Sequence, residues 1–339
     1  RKITGRARRM TPPGAPAAPA APAPALGRVE FVAMMAMLVA TVAYSIDAML
    51  PALPGIGAEL VPDAVNRAQL VVTSFVFGLG LGTFFTGPLS DSYGRKPVIL
   101  GGAAVYALGA LVAMVAPSLE FLVAARILQG LGAAAARIVA LAIIRDLYAG
   151  REMARLVSFV MMVFTLVPAI APLAGAGIMA LTGWRGIFGS FLLFAALTSL
   201  WMGLRLREPL PPPRRRAFRA GTLWQAAREV MSYRVVRLSI LAQILCFTTL
   251  FASISSVQQI FGETFGRGDE FPFWFFLLAV IAGTGSFVNA SLVMRWGMRR
   301  LVAVTLLAQV GLSAAVLALF LVGLPEGWGF GVYFAWQTT

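Results

Sequence analysis

Apolar stretches recur from Val29 onward, and they constrain the fold of this 339-residue chain more than any other feature. Each is roughly 20 residues long, which at 1.5 Å per residue is enough for a helix to cross the ~30 Å hydrocarbon layer of a bilayer. We predict nine membrane-spanning helices, at 29–52, 68–89, 97–116, 119–144, 153–181, 186–204, 235–262, 271–294 and 301–323, and a tenth that opens near Trp328. The sequence therefore predicts an all-α polytopic membrane protein.

The composition agrees with this fold class and excludes several kinds of chemistry. Hydrophobic residues make up 59% of the chain and charged residues 12%, whereas soluble proteins are about one quarter charged. Histidine is absent and Cys246 is the single cysteine, which excludes a His-based triad, a Cys/His zinc site and an intrachain disulfide. The sequence also lacks a Gly-rich loop that ends in Gly-Lys-Ser/Thr. We therefore expect no cofactor, no metal and no ATP site of that type.

The basic residues indicate the orientation in the membrane. The net charge is +14, and all but five of the 28 basic residues fall on the side of the membrane that holds the N-terminus. The exceptions are Arg67, Arg185 and Arg267 in loops on the other side, and Arg126 and Arg137 inside the fourth helix. Because cytoplasmic loops are enriched in Lys and Arg, we predict a cytoplasmic N-terminus in the bacterial inner membrane. The excess charge is thus a topology signal, and we expect no nucleic-acid partner.

The longest hydrophilic break follows the sixth predicted helix and is rich in proline and arginine. The chain thus divides into a basic, Pro/Ala-rich cytoplasmic arm at 1–27, an N-terminal six-helix bundle at 28–204, a cytoplasmic central loop at 205–234, and a partial C-terminal bundle at 235–339 with helices 7 to 9 and the start of helix 10. The arm holds too few large apolar groups to offset its ordering entropy, so we predict that it is flexible.

A weak internal repeat links the two halves. Residues 89–96, between helices 2 and 3, are echoed by residues 292–300, between helices 8 and 9, with Gly94 aligned to Gly297. Repeats of this kind are common in transporters. The two glycines are 203 positions apart. Adding this offset to the positions of helices 4 to 6 gives residues beyond Thr339, so we expect an intact protein of twelve helices, of which this chain holds nine and part of a tenth.

Several segments carry a family resemblance. Residues 87–96, Gly-Pro-Leu-Ser-Asp-Ser-Tyr-Gly-Arg-Lys, resemble the signature of the loop between helices 2 and 3 in the major facilitator superfamily. Residues 126–132, Arg-Ile-Leu-Gln-Gly-Leu-Gly, and 168–175, Pro-Ala-Ile-Ala-Pro-Leu-Ala-Gly, resemble the helix 4 and helix 5 motifs of its drug/proton antiporters. Residues 45–54 and 144–148 are similar to the Bcr/CflA multidrug efflux group.

The resemblance covers the chain from about residue 29 to its end. It implies the major facilitator fold of two six-helix bundles, in which helices 1 and 4 border a central cavity, and it implies proton-coupled drug efflux. The sequence departs from the superfamily at Ser92, where a basic residue is frequent. Helix 11, against which the loop motif is expected to dock, would lie beyond the end of this chain.

Asp47 is the only acidic residue deep within a predicted helix, and ionisable residues in membrane helices are usually functional. With no histidine in the chain, we predict that Asp47 is the proton carrier. Arg126 in helix 4 lies at a matching depth, since helical rise places the two residues ~10 Å and ~9 Å below the outer surface. We expect a direct or water-bridged Asp47–Arg126 pair that couples protons to transport. The alternative is a static bridge that only joins two helices.

Other polar and aromatic residues are candidates for the cavity wall. Arg137 follows Arg126 by 11 residues and so shares its helix face; the alternative is that its side chain extends toward the cytoplasmic surface. Gln243, Phe247, Phe251 and Gln258 form one stripe on helix 7, which suits an amphipathic drug or a packing or lipid-facing surface. The candidates for the substrate cavity are Tyr44, Gln129, Arg137, Gln243, Phe247 and Phe251.

The loop motif and the helix 5 motif predict conformational roles. We expect Arg95 to pair with Asp146 as a latch of the outward-facing state, and Asp91 to cap a neighbouring helix. Gly87 and Gly94 would permit turning and close approach, and Lys96 is equally explained as a basic membrane anchor. In helix 5, Pro168 and Pro172 would bend the helix and Gly175 would admit a neighbouring helix; this structural role is favoured over ligand contact.

These observations predict a secondary transporter and not an enzyme, one that exchanges inward protons for outward amphipathic compounds. The expected partners are a small-molecule substrate, protons and the lipid bilayer, with the protein acting as a monomer. An importer of a small metabolite, a non-transporting membrane receptor or scaffold, and an intramembrane enzyme are the alternatives. The enzyme is the weakest of these, because the sequence shows no evident nucleophile–base pair.

Overall fold

The computed structural model describes residues 26–216, 218, 220–323, 325 and 327–338. Except for Leu26 and Gly27, the predicted arm at 1–27 lies outside the described residues. Regular secondary structure in the described ranges is entirely helical: α1 (Arg28–Asp47), α2 (Leu53–Leu60), α3 (Leu70–Tyr93), α4 (Arg95–Met114), α5 (Leu119–Leu147), α6 (Gly150–Arg205), α7 (Ala220–Ser232), α8 (Arg234–Gln259), α9 (Phe271–Trp296), α10 (Met298–Val322) and α11 (Trp328–Gln337), with short 3-10 or π turns between some of them.

Seven helical segments in the described part of the chain are long and apolar enough to cross a membrane. The longest, α6, has 56 residues and breaks at Gly183, whose φ of 71° takes the backbone out of the helix. Its two arms correspond to the fifth and sixth predicted spans. The predicted all-α polytopic architecture is confirmed.

The first predicted span divides into three pieces because of its prolines. Pro51 has no N–H to donate to the Asp47 carbonyl, so α1 ends at Asp47 and continues as a 3-10 turn and α2. The Met49 amide bonds to the Ile46 carbonyl, and the Ser45 carbonyl is therefore left without its intrahelical donor. This free carbonyl becomes important at the functional site.

The N-terminal helices pack around α5 through small residues. A Cβ on Gly78 of α3 would overlap the carbonyl oxygen of Ile127 in α5, and one on Gly130 of α5 would overlap that of Phe75. Gly132 lies equally close to the backbone of α4 at Tyr106. Helices α3 and α4 therefore approach α5 at backbone distance, as small residues permit in membrane proteins.

Ion pairs mark the two ends of the N-terminal helices. At one end, called the basic face, Arg28 pairs with Glu152 at 2.6 Å and Arg205 pairs with Glu30 at 2.8 Å. At the other end, called the opposite face, the pairs are Arg185–Glu59 at 2.7 Å and Arg67–Glu120 at 3.1 Å. These exposed pairs tie neighbouring helix ends together while contributing little stability individually.

The N-terminal helices α1–α6 and the C-terminal helices α8–α11 meet toward the opposite face. Gln69 donates a hydrogen bond of 2.8 Å to Gln259, and Gln259 in turn donates to Asn66 and Glu263. Along α8, residues 234–250 are exposed in the described structure except for the half-buried Val236, whereas Ser255, Val257 and Gln258 are buried. The interface between these two groups of helices, called the seam, is thus closed at the opposite face by the end of α8.

The glycine contacts of α3 generate a first prediction. Gly78→Ala should destabilise the protein by ~1–3 kcal/mol, because the added methyl group must displace the α5 backbone. Gly80→Ala is the matched control, since no atom lies within 4 Å of its Cβ position, and it should be neutral or slightly stabilising. Thermal unfolding of the detergent-solubilised protein measures both. Equal melting curves for the two variants would contradict this account of α3–α5 packing.

Candidate functional site

A central cavity of about 510 Å³ lies between the N-terminal and C-terminal helices. Its walls come mainly from α1, α5, α6, α8 and α9, and its volume is that of a site for a drug-sized ligand. Most of the lining is apolar. The side chains that give it chemical character are Asp47, Arg137, Thr165, Phe247, Phe251 and Gln337.

Asp47 is the last residue of α1 and lies on the cavity wall, where it is only 5% exposed. Its carboxylate makes neither a hydrogen bond nor an ion pair with any described residue. Two residues along a helix correspond to a rotation of ~200°, so Asp47 points away from the side occupied by Ser45. The carboxylate is therefore left available to whatever enters the cavity.

Arg126 is fully buried inside the N-terminal helices and does not line the cavity. Its Nη2 donates to the Ser45 carbonyl at 2.9 Å, its Nε to the Val71 carbonyl at 3.0 Å, and its Nη1 to Gln129 Oε1 at 2.6 Å. The guanidinium also lies 4.3 Å from the centre of the Phe75 ring. One side chain thus joins α1, α3 and α5, and uses the Ser45 carbonyl that the end of α1 leaves free.

A direct Asp47–Arg126 ion pair, whether for coupling or as a static bridge, is absent from the described residues. Within the described residues, Arg126 is engaged by two carbonyls, an amide and an aromatic ring, and no ion pair joins it to Asp47. Counting residues along a helix estimates depth in the membrane but does not fix rotation about the helix axis. Asp47 and Arg126 lie on different sides of the α1 backbone.

A polar network around Arg126 was missed by sequence reasoning. Ser45 Oγ donates to the Thr41 carbonyl at 2.6 Å and accepts from the Tyr106 hydroxyl at 2.6 Å. The Nε2 group of Gln129 is buried without a partner among the described residues. Ser45 lies within the segment that resembles drug efflux carriers, but the sequence did not show that its carbonyl would be the acceptor.

Three of the six cavity candidates lie elsewhere. Tyr44 packs against the second arm of α6, where its hydroxyl and the Ser190 hydroxyl are 2.8 Å apart and its ring meets Phe191 edge-on. Gln129 is fully buried and bonds to Arg126, as described above. Gln243 is exposed on α8 and does not line the cavity. The stripe was predicted on helix 7, which is α8 in the structure, and it includes residues that do not face the cavity.

The other three candidates do line the cavity. The Phe247 and Phe251 rings stack with their centres 6.2 Å apart and an interplanar angle of 21°. The Arg137 guanidinium lies on the wall 5.9 Å from the centre of the Phe164 ring. Thr165 and Gln337 also line the cavity but were missed, because neither belongs to a motif or a charged pattern.

The helix 5 motif lies in the first arm of α6. Pro168 contributes to the cavity wall, so the sequence preference for a structural role alone was too narrow, while Pro172 is buried. The backbone keeps helical angles through both prolines and breaks at Gly183 instead. A Cβ on Gly175 would overlap the Ala48 carbonyl oxygen, so this glycine lets α6 contact the turn directly after Asp47.

The loop motif forms a compact ionic cluster on the basic face. Arg95 is 7% exposed, and it pairs with Asp146 at 2.8 Å and with Asp91 at 2.6 Å while donating to Ser90 Oγ. Lys96 donates to the Gly203 carbonyl at 2.6 Å, near the end of α6. The structure thus brings Arg95 and Asp146 together, and gives Lys96 a specific partner beyond a membrane anchor.

The helix cap in this cluster differs from the expected one. Glu208 accepts from the backbone amides of Arg95 and Lys96 at 2.9 and 3.0 Å and so caps α4, whereas Asp91 pairs with Arg95. Gly94 has a φ of 107°, and a side chain there would collide with Glu208. Gly87 lies in α3 with open space around it, so its expected close approach is not present. The available signal for Glu208 was an acid at the start of a basic loop.

The Arg126 network generates a second prediction. Arg126→Lys should destabilise the protein by about 2–4 kcal/mol, because an ammonium cannot reproduce the guanidinium geometry and leaves buried acceptors unpaired. Arg145→Lys is the control on the same helix, since Arg145 is exposed and bonds only within its own helix, to Leu141. Thermal unfolding in detergent provides the measurement. An Arg126→Lys variant as stable as Arg145→Lys would contradict the network's structural importance.

Comparisons with known proteins agree with this architecture. Residues 32–338 match the family model of the Major Facilitator Superfamily. The chain is 29% identical over 274 residues to a bicyclomycin resistance protein homolog of Haemophilus influenzae, covering 78% of this chain and 67% of that protein. It is 31% identical to the multidrug resistance protein MdtL of Salmonella heidelberg over 250 residues, 73% of this chain and 61% of MdtL.

Among solved structures, a D-xylose–proton symporter superposes with a TM-score of 0.70 over 92% of this chain and 79% of the symporter. The sequence identity is 16%, so this likeness concerns the fold alone. The family match extends over nearly all of the described residues and includes the five segments that carry the resemblance. The chain therefore belongs to the Major Facilitator Superfamily, a family of membrane transporters.

Proposed function

We propose that this protein is a proton-coupled exporter of amphipathic, drug-like molecules in the bacterial inner membrane, with Asp47 as the proton carrier. The observation that carries the proposal is the unpartnered Asp47 carboxylate on the wall of a cavity of drug-like size. Relatives named for multidrug and bicyclomycin resistance support the direction and the kind of substrate.

The choice of Asp47 follows from the chemistry of the cavity lining. Among the described lining residues, Asp47 is the only acid, Arg137 is the only base, and the chain has no histidine. Arginine does not release its proton in proteins, so reversible protonation in the cavity falls to Asp47. Because no protein group holds the carboxylate, a proton and a cationic substrate would compete for it. Such competition is the simplest basis for exchange.

The remaining lining supports an amphipathic substrate. The stacked Phe247 and Phe251 rings offer an aromatic surface, and the hydroxyl of Thr165 and the amide of Gln337 add hydrogen-bonding groups. An apolar cavity with few polar groups fits molecules with an apolar body and a small number of polar substituents. Asp47 favours those that are cationic.

We assign Arg126 the role of a positioning residue. Its bond to the Ser45 carbonyl holds the end of α1, and so fixes the rotation that turns Asp47 toward the cavity. A substitution at Arg126 would therefore act on Asp47 through the backbone of α1. This replaces the direct ionic coupling that the sequence suggested.

We further propose that the basic face is cytoplasmic, as the positive-inside rule requires. In this proposal, residues 28–204 and residues 235–339 form the two units that move during transport, and residues 205–234 join them. The Arg95–Asp146 pair would help to hold the basic-face ends of the N-terminal helices during the cycle. Here the pair is present while the seam is closed toward the opposite face, so it does not require an outward-facing state.

A third prediction tests the proton carrier. Asp47→Asn keeps the size of the side chain but cannot ionise, so pH-driven efflux of ethidium from cells expressing the protein should fall at least tenfold. Substrate-induced proton release from the purified protein should disappear as well. Asp63→Asn is the control, because Asp63 is an exposed acid outside the cavity, and both activities should be unchanged in this variant.

Unchanged proton release or unchanged efflux in Asp47→Asn would overturn the assignment. The sign of the flux decides between exporter and importer: ethidium that accumulates in cells in an Asp47-dependent manner would identify an importer. The level of protein in the membrane and its melting curve show whether the variant is folded.

A further inference from the structure

A second pocket, of about 600 Å³, lies at the opposite face and is separate from the central cavity. We call it the outer pocket. Its walls come from the segment after α1, from the first arm of α6, from the end of α8 with the π turn that follows, and from the start of α9. The first arm of α6, α8 and α9 also line the central cavity, and α1, which directly precedes the first of these segments, lines it as well.

The two chambers are stacked along the membrane normal. The segment that follows Asp47 lines the outer pocket at residues 51–55, one to two turns beyond the residues of α1 that line the cavity. On α6 the lining shifts from residues 164–168 in the cavity to 176–180 in the outer pocket. The end of α8 and the start of α9 shift in the same direction. Four independent elements thus place the outer pocket directly beyond the cavity, on the same path.

The outer pocket has its own acidic lining. Glu263 and Asp269 are exposed at the pocket, and no Lys or Arg is among the described residues that line it. Arg267 is close in sequence, but its guanidinium pairs with Glu270 at 3.4 Å and stacks on Phe330 at 4.5 Å. The local field therefore favours cations.

Two buried polar side chains in the pocket lack partners. Ser255 is 4% exposed and its Oγ has no hydrogen bond within the described structure. Gln258 is 6% exposed, and its amide likewise has no hydrogen-bond partner in the described ranges. Buried polar groups are normally satisfied, so the unpaired Ser255 Oγ at the pocket wall indicates a bound polar group. Apolar residues such as Val65, Met179 and Pro272 complete the wall.

We propose that the outer pocket is a second binding site, which holds an amphipathic organic cation through Glu263 and Asp269 while Ser255 and Gln258 hydrogen-bond its polar substituents. The assignment of this site to the release step of transport rests on the proposed function, whereas binding does not. A molecule that leaves Asp47 toward the opposite face meets a second acidic chamber before it reaches water.

The test uses the single cysteine of the chain. In a Cys246→Ser background, Ser255→Cys places a thiol in the outer pocket and Ser253→Cys places one in the central cavity, two residues away on the same helix. The purified protein in nanodiscs is labelled with a cationic aminoethyl or an anionic sulfonatoethyl methanethiosulfonate. The Ser255→Cys thiol should prefer the cationic reagent by roughly tenfold, and Glu263→Gln/Asp269→Asn should remove that preference.

Ethidium serves as the organic cation. It should slow labelling of Ser255→Cys, and this protection should persist with Asp47→Asn but disappear with Glu263→Gln/Asp269→Asn. Labelling of Ser253→Cys should not respond to the acidic-pair substitution. Equal reactivity toward both reagents at Ser255→Cys, or protection that survives loss of both acids, would overturn the proposal.

The two proposals fail in different ways. If Asp47 is not the proton carrier, Asp47→Asn transports normally while labelling at Ser255→Cys keeps its preference for the cationic reagent. If Ser255→Cys does not fold, ethidium fluorescence titration replaces labelling. In an Asp47→Asn background, Glu263→Gln/Asp269→Asn should weaken the remaining ethidium affinity by roughly tenfold. Unchanged affinity would overturn the outer site.

Discussion

The buried guanidinium of Arg126 is the interaction on which the arrangement of the N-terminal helices depends. A cation enclosed by three helices is stable there only if its donors are satisfied, since a buried unpaired charge costs several kcal/mol. Satisfaction comes from the Ser45 and Val71 carbonyls, the Gln129 amide and the Phe75 ring. The Ser45 carbonyl is available because Pro51 ends α1, so a break in one helix supplies the acceptor that locks another.

In this arrangement the charge of Arg126 holds helices together, while the carboxylate of Asp47 is left for the proposed transport function. Arg126 bonds to neutral acceptors and forms no ion pair with Asp47 within the described residues. A carboxylate without an ionic partner is one for which protons and substrates can compete. A permanent Asp47–Arg126 pair would instead favour the ionised acid and would have to be broken in each cycle. The same α1 backbone therefore presents a fixed polar network on one side and an open acid on the other.

Sequence reasoning was most successful where periodicity or rarity carried the signal. Apolar length identified the spans, an isolated intramembrane acid identified Asp47, and helical spacing placed Phe247 and Phe251 on the cavity. It was unsuccessful where a contact depended on the rotation of a helix about its axis, or on residues that are far apart in the chain. Residue counting estimates depth in the membrane but not the side of the helix that faces a neighbour, so it did not show that Arg126 would bond to the Ser45 and Val71 carbonyls. The Glu208 cap joins residues more than 100 positions apart, and no local pattern contains that contact.

The turn at 48–50 sits between the central cavity and the outer pocket, and its residues are fully buried. Gly175 holds it from one side by direct backbone contact with Ala48, and Arg126 holds the helix that precedes it. Both contacts come from the N-terminal helices, so the turn belongs rigidly to that half. Helices α8 and α9 contribute C-terminal walls to both chambers. Movement of these two helices relative to the turn would therefore be enough to join or separate the chambers, without disturbing the buried network that keeps Asp47 in place.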